Sequence, residues 1–301
     1  MKISLVTPAG KRSRAGNRTT AVRWARILRT LGHRVVISEN DETCDADMMI
    51  AVHAWRSAES IRRFNDLHSD RPLVVLLAGT DIYSFQKNHP AETHGSMDRA
   101  TALVGLHDLV QRAIPKRYRK KLRTIHQSAP PLATARAPSK RFFEVCVVGH
   151  LRDEKDPFRA AYAVQHVPAE SRLRIVHLGK ARNEAWAKDA TEEMARNPRY
   201  LWRGERTEGQ VRRQFARGHA MVISSIMEGG ANVVSEAIMA GLPVIASRID
   251  GNVGLLGADY AGYYPVADTE ALAKLLVRAE SEPGFLAHLA RQGRARRKLF
   301  T

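Results

Sequence analysis

The chain has 301 residues, 44% hydrophobic and 26% charged, which excludes a disordered or fibrous protein. At roughly 150 residues per domain this length holds about two domains. Lys and Arg number 48 against 31 Asp and Glu, and the net charge of +17 calls for an anionic partner: nucleic acid, an acidic membrane surface or phosphorylated small molecules. Two cysteines, Cys44 and Cys146, exclude a disulfide framework and form no CxxC pair for zinc. They are expected to be small buried thiols in a reducing compartment. The apolar run after Met1-Lys2 is too short for a signal peptide, and no run of about 18 apolar residues spans a membrane. A soluble cytoplasmic protein without stable membrane insertion is expected.

In chain order, Ile3–Thr7 reads as a buried strand, and Thr20–Leu31 as a helix with Trp24, Ile27, Leu28 and Leu31 at helical spacing. Gly32 stops that helix. Strands follow at His33–Ser38, Asp47–His53, Leu73–Ala78, Ala102–Leu106 and Leu122–His126, with helical stretches between most of them. Residues 127–141 hold three prolines and no apolar period, so they read as a linker. A second series runs through strands at Phe142–Gly149, Leu173–Leu178, Tyr200–Trp202, Ala220–Ser224 and Pro243–Ala246. Helices are expected at Glu184–Arg196, Glu208–Arg217 and Val233–Ala240, and two more from Thr269 to Leu299, split near Pro283-Gly284. Strands alternating with helices predict parallel βαβ units, hence two doubly wound halves with a cleft between them. Ligands of such sheets sit beyond the carboxyl ends of the strands. The expected segments are 1–135, 136–282 and a basic C-terminal helix, 283–301, that could pack back on the first half.

Three strand-end loops carry the chemistry. Ser224 to Glu236 runs strand, Gly-Gly loop, helix. Gly229 and Gly230 would let the backbone approach a ligand, and the amides from Gly229 through Ala231 to Asn232 would face an anion at the helix start. Glu228 and Glu236 flank the loop, suited to accept hydrogen bonds from sugar hydroxyls in one pocket. Gly149 to Pro157 offers Arg152 and Lys155 to a diphosphate, with Asp156 as N-cap and Pro157 in the first turn of the next helix. Gly10 to Thr20, with Gly16, Asn17 and four basic residues, reads as another anion-facing loop; it is neither a GxGxxG fingerprint nor a Walker A loop. His53 and Gly79-Thr80-Asp81 also follow strands. The basic runs Lys116–Arg123 and Arg291–Lys298 read as solvated faces, with membrane or nucleic-acid contact as the alternative.

The two-half layout and the Glu-x7-Glu segment from Glu228 to Glu236 resemble the GT-B nucleotide-sugar glycosyltransferases, in particular the retaining family 4-like enzymes. Glu154-Lys155 resembles the Glu-Lys of that family's phosphate loop; where the family carries Gly-Arg, this chain has Gly149-His150, with Arg152 two residues later. The segments GNRTTAVRWARIL (16–28), AGTDIY (78–83), GHLRDEKDP (149–157), MEGGANVVSEA (227–237) and SRIDGNVGLLGADYAGYYP (247–265) are similar to the selenosugar synthases of selenoneine biosynthesis. That resemblance runs over essentially the whole chain. It implies transfer of N-acetylglucosamine from UDP-N-acetylglucosamine to the selenium of selenophosphate, with release of UDP and phosphate. It implies no cofactor and no metal, the basic loop and helix dipole replacing a divalent cation. By the same resemblance Glu228, Lys155 and Arg152 are catalytic, and Gly229, Gly230, Ala231, Asn232, Glu236 and His150 hold the donor. Gly10, Gly16, Asn17, His53, Thr80 and Asp81 form the acceptor side. Two other readings stay open: a GT-B transferase with a hydroxyl acceptor, and a non-enzymatic basic protein that binds nucleic acid or a membrane. No nucleic-acid module is recognised, which favours the enzyme.

Overall fold

A computed structural model describes residues 1–40 and 45–301; Cys44 lies outside the described residues. The chain forms two compact units, Met1–Gln127 with Glu228–Asn232, and Ser128–Met227 with Val233–Thr301. The expected linker, 127–141, holds no helix or strand, and the units divide at its first residue. Among the described residues no helix is long and apolar enough to cross a membrane.

Unit 1 is built on strands β1 (Lys2–Val6), β2 (Arg34–Ser38), β3 (Met48–Val52), β4 (Leu73–Leu76), β5 (Ala102–Gly105) and β6 (Leu122–Thr124). They form a parallel sheet in the order β2-β1-β3-β4-β5-β6, with Leu5 of β1 opposite Ile37 and Ile50. Both faces are covered, so the strands read as continuous apolar runs rather than alternating ones. Val6, Met49, Ala51 and Val75 enter one core cluster with Phe64; Ile3, Leu5, Ile50 and Leu76 enter another with Ala21 and Ala25 of the helix Gly16–Thr30. That helix begins four residues earlier than the apolar period starts, because Gly16-Asn17-Arg18-Thr19 bears no core residue to signal it.

Unit 2 carries β7 (Phe143–Val148), β8 (Leu173–Leu178), β9 (Tyr200–Trp202), β10 (Ala220–Ile223), β11 (Val244–Ser247) and β12 (Tyr263–Tyr264), in the parallel order β12-β11-β10-β7-β8-β9. The two-residue β12 is too short to announce itself in the sequence. Cys146 sits in β7, fully buried and free, and burial pushes its thiol up to about 12, so it is a packing residue and not a nucleophile. In each sheet the strand order reverses, between β1 and β3 in unit 1 and between β7 and β10 in unit 2. The loops after those four strands therefore meet at the carboxyl edge of their sheet, where such folds bind ligands.

The C-terminal helix Pro283–Arg296 belongs to unit 2, where Phe285 and Leu289 are buried and Gly293 faces Ile238. Two members of its basic run are structural. Arg296 donates to the carbonyls of Leu255 and Gly254, and Arg297 to that of Met239. Each guanidinium thus satisfies carbonyls at the C-terminus of a helix and neutralises its negative end.

Arg136, inside the expected linker, also lies in unit 2. Its guanidinium donates to the carbonyls of Phe215 (3.3 Å), Gly241 (2.8 Å) and Gly218 (2.5 Å). These are carbonyls that no helix or strand satisfies. Arg136→Ala is expected to lower the unfolding free energy by about 2–4 kcal/mol, read by urea denaturation, since charged hydrogen bonds are lost and acceptors stranded together. Arg136→Lys should regain only part of it, because one ammonium cannot reach three divergent acceptors.

Candidate functional site

In unit 2 the loop after β7 is held from two sides. His177, on β8, is fully buried; Tyr200 donates its hydroxyl to Nδ1 at 2.9 Å, and Nε2 donates to the Gly149 carbonyl at 2.9 Å. Burial pushes this imidazole down to about 4, so it is neutral. A Cβ on Gly179 would fall 1.8 Å from the Gly149 oxygen, so a glycine follows β8 and lets the two loops touch. His150 Nδ1 accepts from the Lys180 amide at 3.1 Å. On the other side, Ser224, just past β10, donates its hydroxyl to the carbonyls of Lys155 (3.0 Å) and Asp156 (2.8 Å). The Ile226 amide donates to the Glu154 carbonyl at 3.0 Å.

The basic loop is thus tied at the point where the strand order reverses. Lys155 is half-buried at the end of the turn Asp153–Lys155. Arg152 stands 3.3 Å from the Glu154 carboxylate, and its Nε is buried without a protein acceptor. Asp156 is not the helix N-cap expected of it. Its φ is +43°, the left-handed conformation that turns the chain after Lys155, and its carboxylate receives Arg159 Nε at 2.8 Å. The helix starts at Arg159, two residues beyond Pro157, with Phe158 as N-cap.

A third layer supports this half. Ser247 Oγ donates to the Ser225 carbonyl at 2.6 Å, and Asn252 Nδ2 to the Ser247 carbonyl at 2.9 Å. Glu236 is half-buried in the helix Asn232–Met239.

In unit 1 the organising group is Asp81. Its side chain is fully buried and accepts four backbone amides: Ala54 (2.9 Å) and Ala78 (3.0 Å) on Oδ2, Gly79 (2.8 Å) and Ile82 (3.0 Å) on Oδ1. These bonds join the end of β3 to the loop after β4. With both oxygens occupied by main chain, Asp81 positions the loop rather than offering itself to an acceptor. A π-helical turn, Asp81–Phe85, follows.

His53 is the residue after β3. It is buried, with φ +79°, an uncommon conformation for a side chain of this size and of the kind that gathers at functional sites. The Arg56 amide donates to Nδ1 at 3.1 Å, so Nε2 carries the hydrogen and donates to Thr80 Oγ1 at 2.9 Å. Burial lowers its pKa, opposed by the Asp81 charge.

The glycines of Glu228-Gly229-Gly230 stand where the chain passes close to neighbouring segments. A Cβ on Gly229 would stand 2.4 Å from the Ala78 carbonyl carbon, and one on Gly230 would stand 2.5 Å from Leu106 Cβ. The missing side chains let this segment come close to Ala78 and Leu106. Gly230 also has φ +116°. Glu228 and Ala231 are buried here. The Asn232 side chain is spoken for as well: Oδ1 accepts from Arg23 Nη1 at 2.8 Å, and Nδ2 donates to Thr20 Oγ1 at 3.4 Å. Glu228 to Asn232 therefore group with unit 1, while Glu236 belongs to unit 2.

The loop after β1 turns at Gly10, whose carbonyl accepts from the Ser13 amide at 2.9 Å. Gly16 and Asn17 open a helix with no acidic residue in its first turn. Thus His53, Thr80, Asp81 and Glu228 to Asn232 fall in unit 1 with Gly10, Gly16 and Asn17, and His150, Arg152, Lys155 and Glu236 fall in unit 2. Among the described residues no group of three His, Cys, Asp or Glu side chains could hold a metal ion.

Sequence reasoning gave no role to His177, Tyr200, Ser224, Ser247 or Asn252. The available signal was a polar residue within an apolar strand, His177, or directly after one, Ser224 and Ser247.

A family model described as glycosyl transferases group 1 matches residues 134–296, more than half of the chain. The chain belongs to the group 1 glycosyl transferases. No curated protein matches it. Among solved structures, HepE of Anabaena in complex with UDP and glucose has a TM-score of 0.80 at 16% identity, covering 100% of this chain and 95% of that one. Sucrose-phosphate synthase of Thermosynechococcus elongatus gives the same TM-score of 0.80, 16% identity and coverage of 100% and 95%. An α,α-trehalose-phosphate synthase of Burkholderia xenovorans, solved with glucose-6-phosphate, has a TM-score of 0.67 at 13% identity, covering 92% and 73%. These likenesses establish the fold, the two Rossmann-like domains of the GT-B glycosyltransferases. In this group 1 glycosyl transferase, the segment matched by the family model begins inside the expected linker and takes in nearly all of unit 2.

Two measurements check the scaffold. Unfolded His177 binds its proton near 6.5 but the folded residue only near 4, so its contribution is whole above pH 6.5 and is lost as pH falls toward 4. About 3 kcal/mol disappears across that window. Urea denaturation between pH 7 and pH 5 should show a steeper loss in the native chain than in His177→Gln. Gly229→Ala should destabilise by about 1–3 kcal/mol in the same assay, since backbone must move to admit the methyl group.

Proposed function

We propose that this group 1 glycosyl transferase uses a UDP-sugar as donor. The observation that carries the proposal is the Arg152–Lys155 loop, tied by Ser224 at the reversal of strand order in the sheet of unit 2. Lys155 and Arg152 meet the diphosphate, as point charge and planar fork, and stabilise it as it departs. His150 lies beside them. Glu236 accepts from the ribose hydroxyls. Glu228 and the loop through Gly229, Gly230, Ala231 and Asn232 hold the sugar. The UDP complexes of HepE support this donor class. With two cations at the leaving group, a divalent metal is not needed, and turnover should persist in chelator.

We further propose that the donor is UDP-N-acetylglucosamine and the acceptor selenophosphate, making the chain a selenosugar synthase of selenoneine biosynthesis. The support is the similarity of five segments spread along the whole chain, the longest being 247–265. In the reaction the C1–O bond to UDP breaks and UDP leaves with the electron pair. Selenium supplies the pair for the new C1–Se bond. Cleavage of the P–Se bond by water then releases phosphate. Both substrates are anionic, and a net charge of +17 lowers their mutual repulsion and raises their local concentration. The acceptor side is the loop carrying Gly10, Gly16 and Asn17, together with His53 and Thr80, which Asp81 holds in place. A reducing cytoplasm suits so easily oxidised a nucleophile. A hydroxyl acceptor is the second reading, supported by sucrose-phosphate synthase and trehalose-phosphate synthase among the structural neighbours.

The deciding assay combines UDP-N-acetylglucosamine with fresh selenophosphate, anaerobically and with chelator, and reads products by mass spectrometry. UDP together with a selenium-bearing sugar is the expected outcome. UDP binding with turnover only on a hydroxyl acceptor would overturn the selenium assignment, and no UDP binding would overturn both. Lys155→Ala should lower kcat by about 2–4 kcal/mol of transition-state stabilisation. Glu236→Ala should instead weaken UDP-sugar binding.

A further inference from the structure

Unit 2 carries a cleft of about 460 Å³, none of whose lining residues belongs to the loops after β7 and β10. It opens on the face of β8 and β9 beside the helix Glu208–Arg217. Arg174, Val176 and Leu178 occupy alternate positions of β8, so their side chains share this face. Val176, Leu178 and Leu201 give the cleft an apolar floor. Its walls carry five guanidinium groups: Arg174, Arg203, Arg206, Arg213 and Arg217.

One carboxylate, Glu144, also lines it, and that group is engaged: Gln214 Nε2 donates to it at 3.0 Å and Arg217 stands 3.6 Å away. Among the described residues, none of the other four arginines stands within ion-pair distance of a carboxylate. Arg174 is fixed by stacking on Phe142, its guanidinium carbon 3.7 Å from the ring centre.

Gathering like charges in a concavity opposes folding unless an anion is to be held there, and a concave wall focuses their field on its interior. Guanidinium forks match phosphate oxygens two at a time. The volume is that of a small-molecule site and not of an extended nucleic-acid track. The aliphatic floor offers a surface for a planar or apolar body.

We propose that this cleft binds a phosphate ester with two or more phosphate groups on a planar or apolar body, at a site separate from the one proposed for the donor. The inference does not rest on the donor assignment. It is tested by calorimetric titration of the full chain with ATP as probe and inorganic tripolyphosphate as its counterpart without a body, both with no UDP present, since UDP is itself a diphosphate on a planar body.

One ATP per chain is expected, bound more tightly than tripolyphosphate. The double variant Arg203→Ala/Arg213→Ala should weaken ATP binding about tenfold or more, whereas the charge-matched pair Arg291→Ala/Arg294→Ala, exposed on the C-terminal helix, should leave it unchanged. Absence of binding, undiminished binding in the cleft variant, or equal loss in both variants would overturn the proposal. Equal affinity for ATP and tripolyphosphate would overturn the role given to the floor. Arg203 and Arg213 are exposed, so the cleft variant is expected to fold, and an unchanged urea midpoint verifies it.

Discussion

The carboxylate of Asp81 accepts four backbone N–H groups with no exposed surface. Parallel sheets leave a difficulty at every strand end. The ladder stops, the amides of the following loop are buried, and a buried amide without an acceptor is costly. One side chain supplies both oxygens and thereby fixes where β3 and β4 release the chain. His53 and Thr80 then take their places from Asp81, and the close approach of Gly79 to Gly229 follows from the loop so fixed. Unit 2 solves the same problem with neutral groups. Ser224 donates to two carbonyls of the basic loop, and His177 to a third. The groups to be satisfied there are carbonyls, which a hydroxyl and a neutral imidazole N–H can serve and an ionised carboxylate cannot.

The same economy explains where the positive charge goes. Arg136, Arg296 and Arg297 serve backbone carbonyls, and Arg159 serves Asp156 and Thr269. These arginines are structural, although composition alone assigns every one of them to a partner. Net charge overstates the surface offered to anions. Part of what it leaves lies in the Arg152–Lys155 loop and in the cleft over β8 and β9.

The two parallel sheets were legible because buried parallel strands are short apolar runs bounded by turns, and Leu173–Leu178 and Tyr200–Trp202 fall where the pattern places them. Helices with a clear apolar period, such as Glu184–Arg196 and Glu208–Arg217, were equally plain. Local capping misled. Asp-Pro reads as an N-cap and first turn, yet Asp156 adopts a left-handed conformation and its carbonyl accepts from Ser224, a tertiary partner that no local rule contains. The glycines also admit a close approach of neighbouring protein. A pair of glycines reports that something approaches closely, and the sequence cannot tell ligand from backbone. The Asn232 side chain, tied to Arg23 and Thr20 more than 200 residues away, was beyond any pattern along the chain.

The proposed acceptor chemistry turns on His53. Both of its nitrogens are committed, Nδ1 accepting from the Arg56 amide and Nε2 donating to Thr80. To take a proton from a substrate hydroxyl, the ring would have to surrender the Arg56 bond. Burial also lowers its pKa, so the ring is a poor resting place for that proton. Asp81 is no better a base, since four amides hold its oxygens. An acceptor that must be deprotonated finds little help from these two groups. An acceptor that arrives already ionised, and whose nucleophilic atom is soft and polarisable, needs only to be positioned and to have its charge offset. That requirement is one a rigid, neutral, hydrogen-bonded His53–Thr80 pair can meet, and on this ground we propose an anionic selenium nucleophile for this half of the chain ahead of an alcohol.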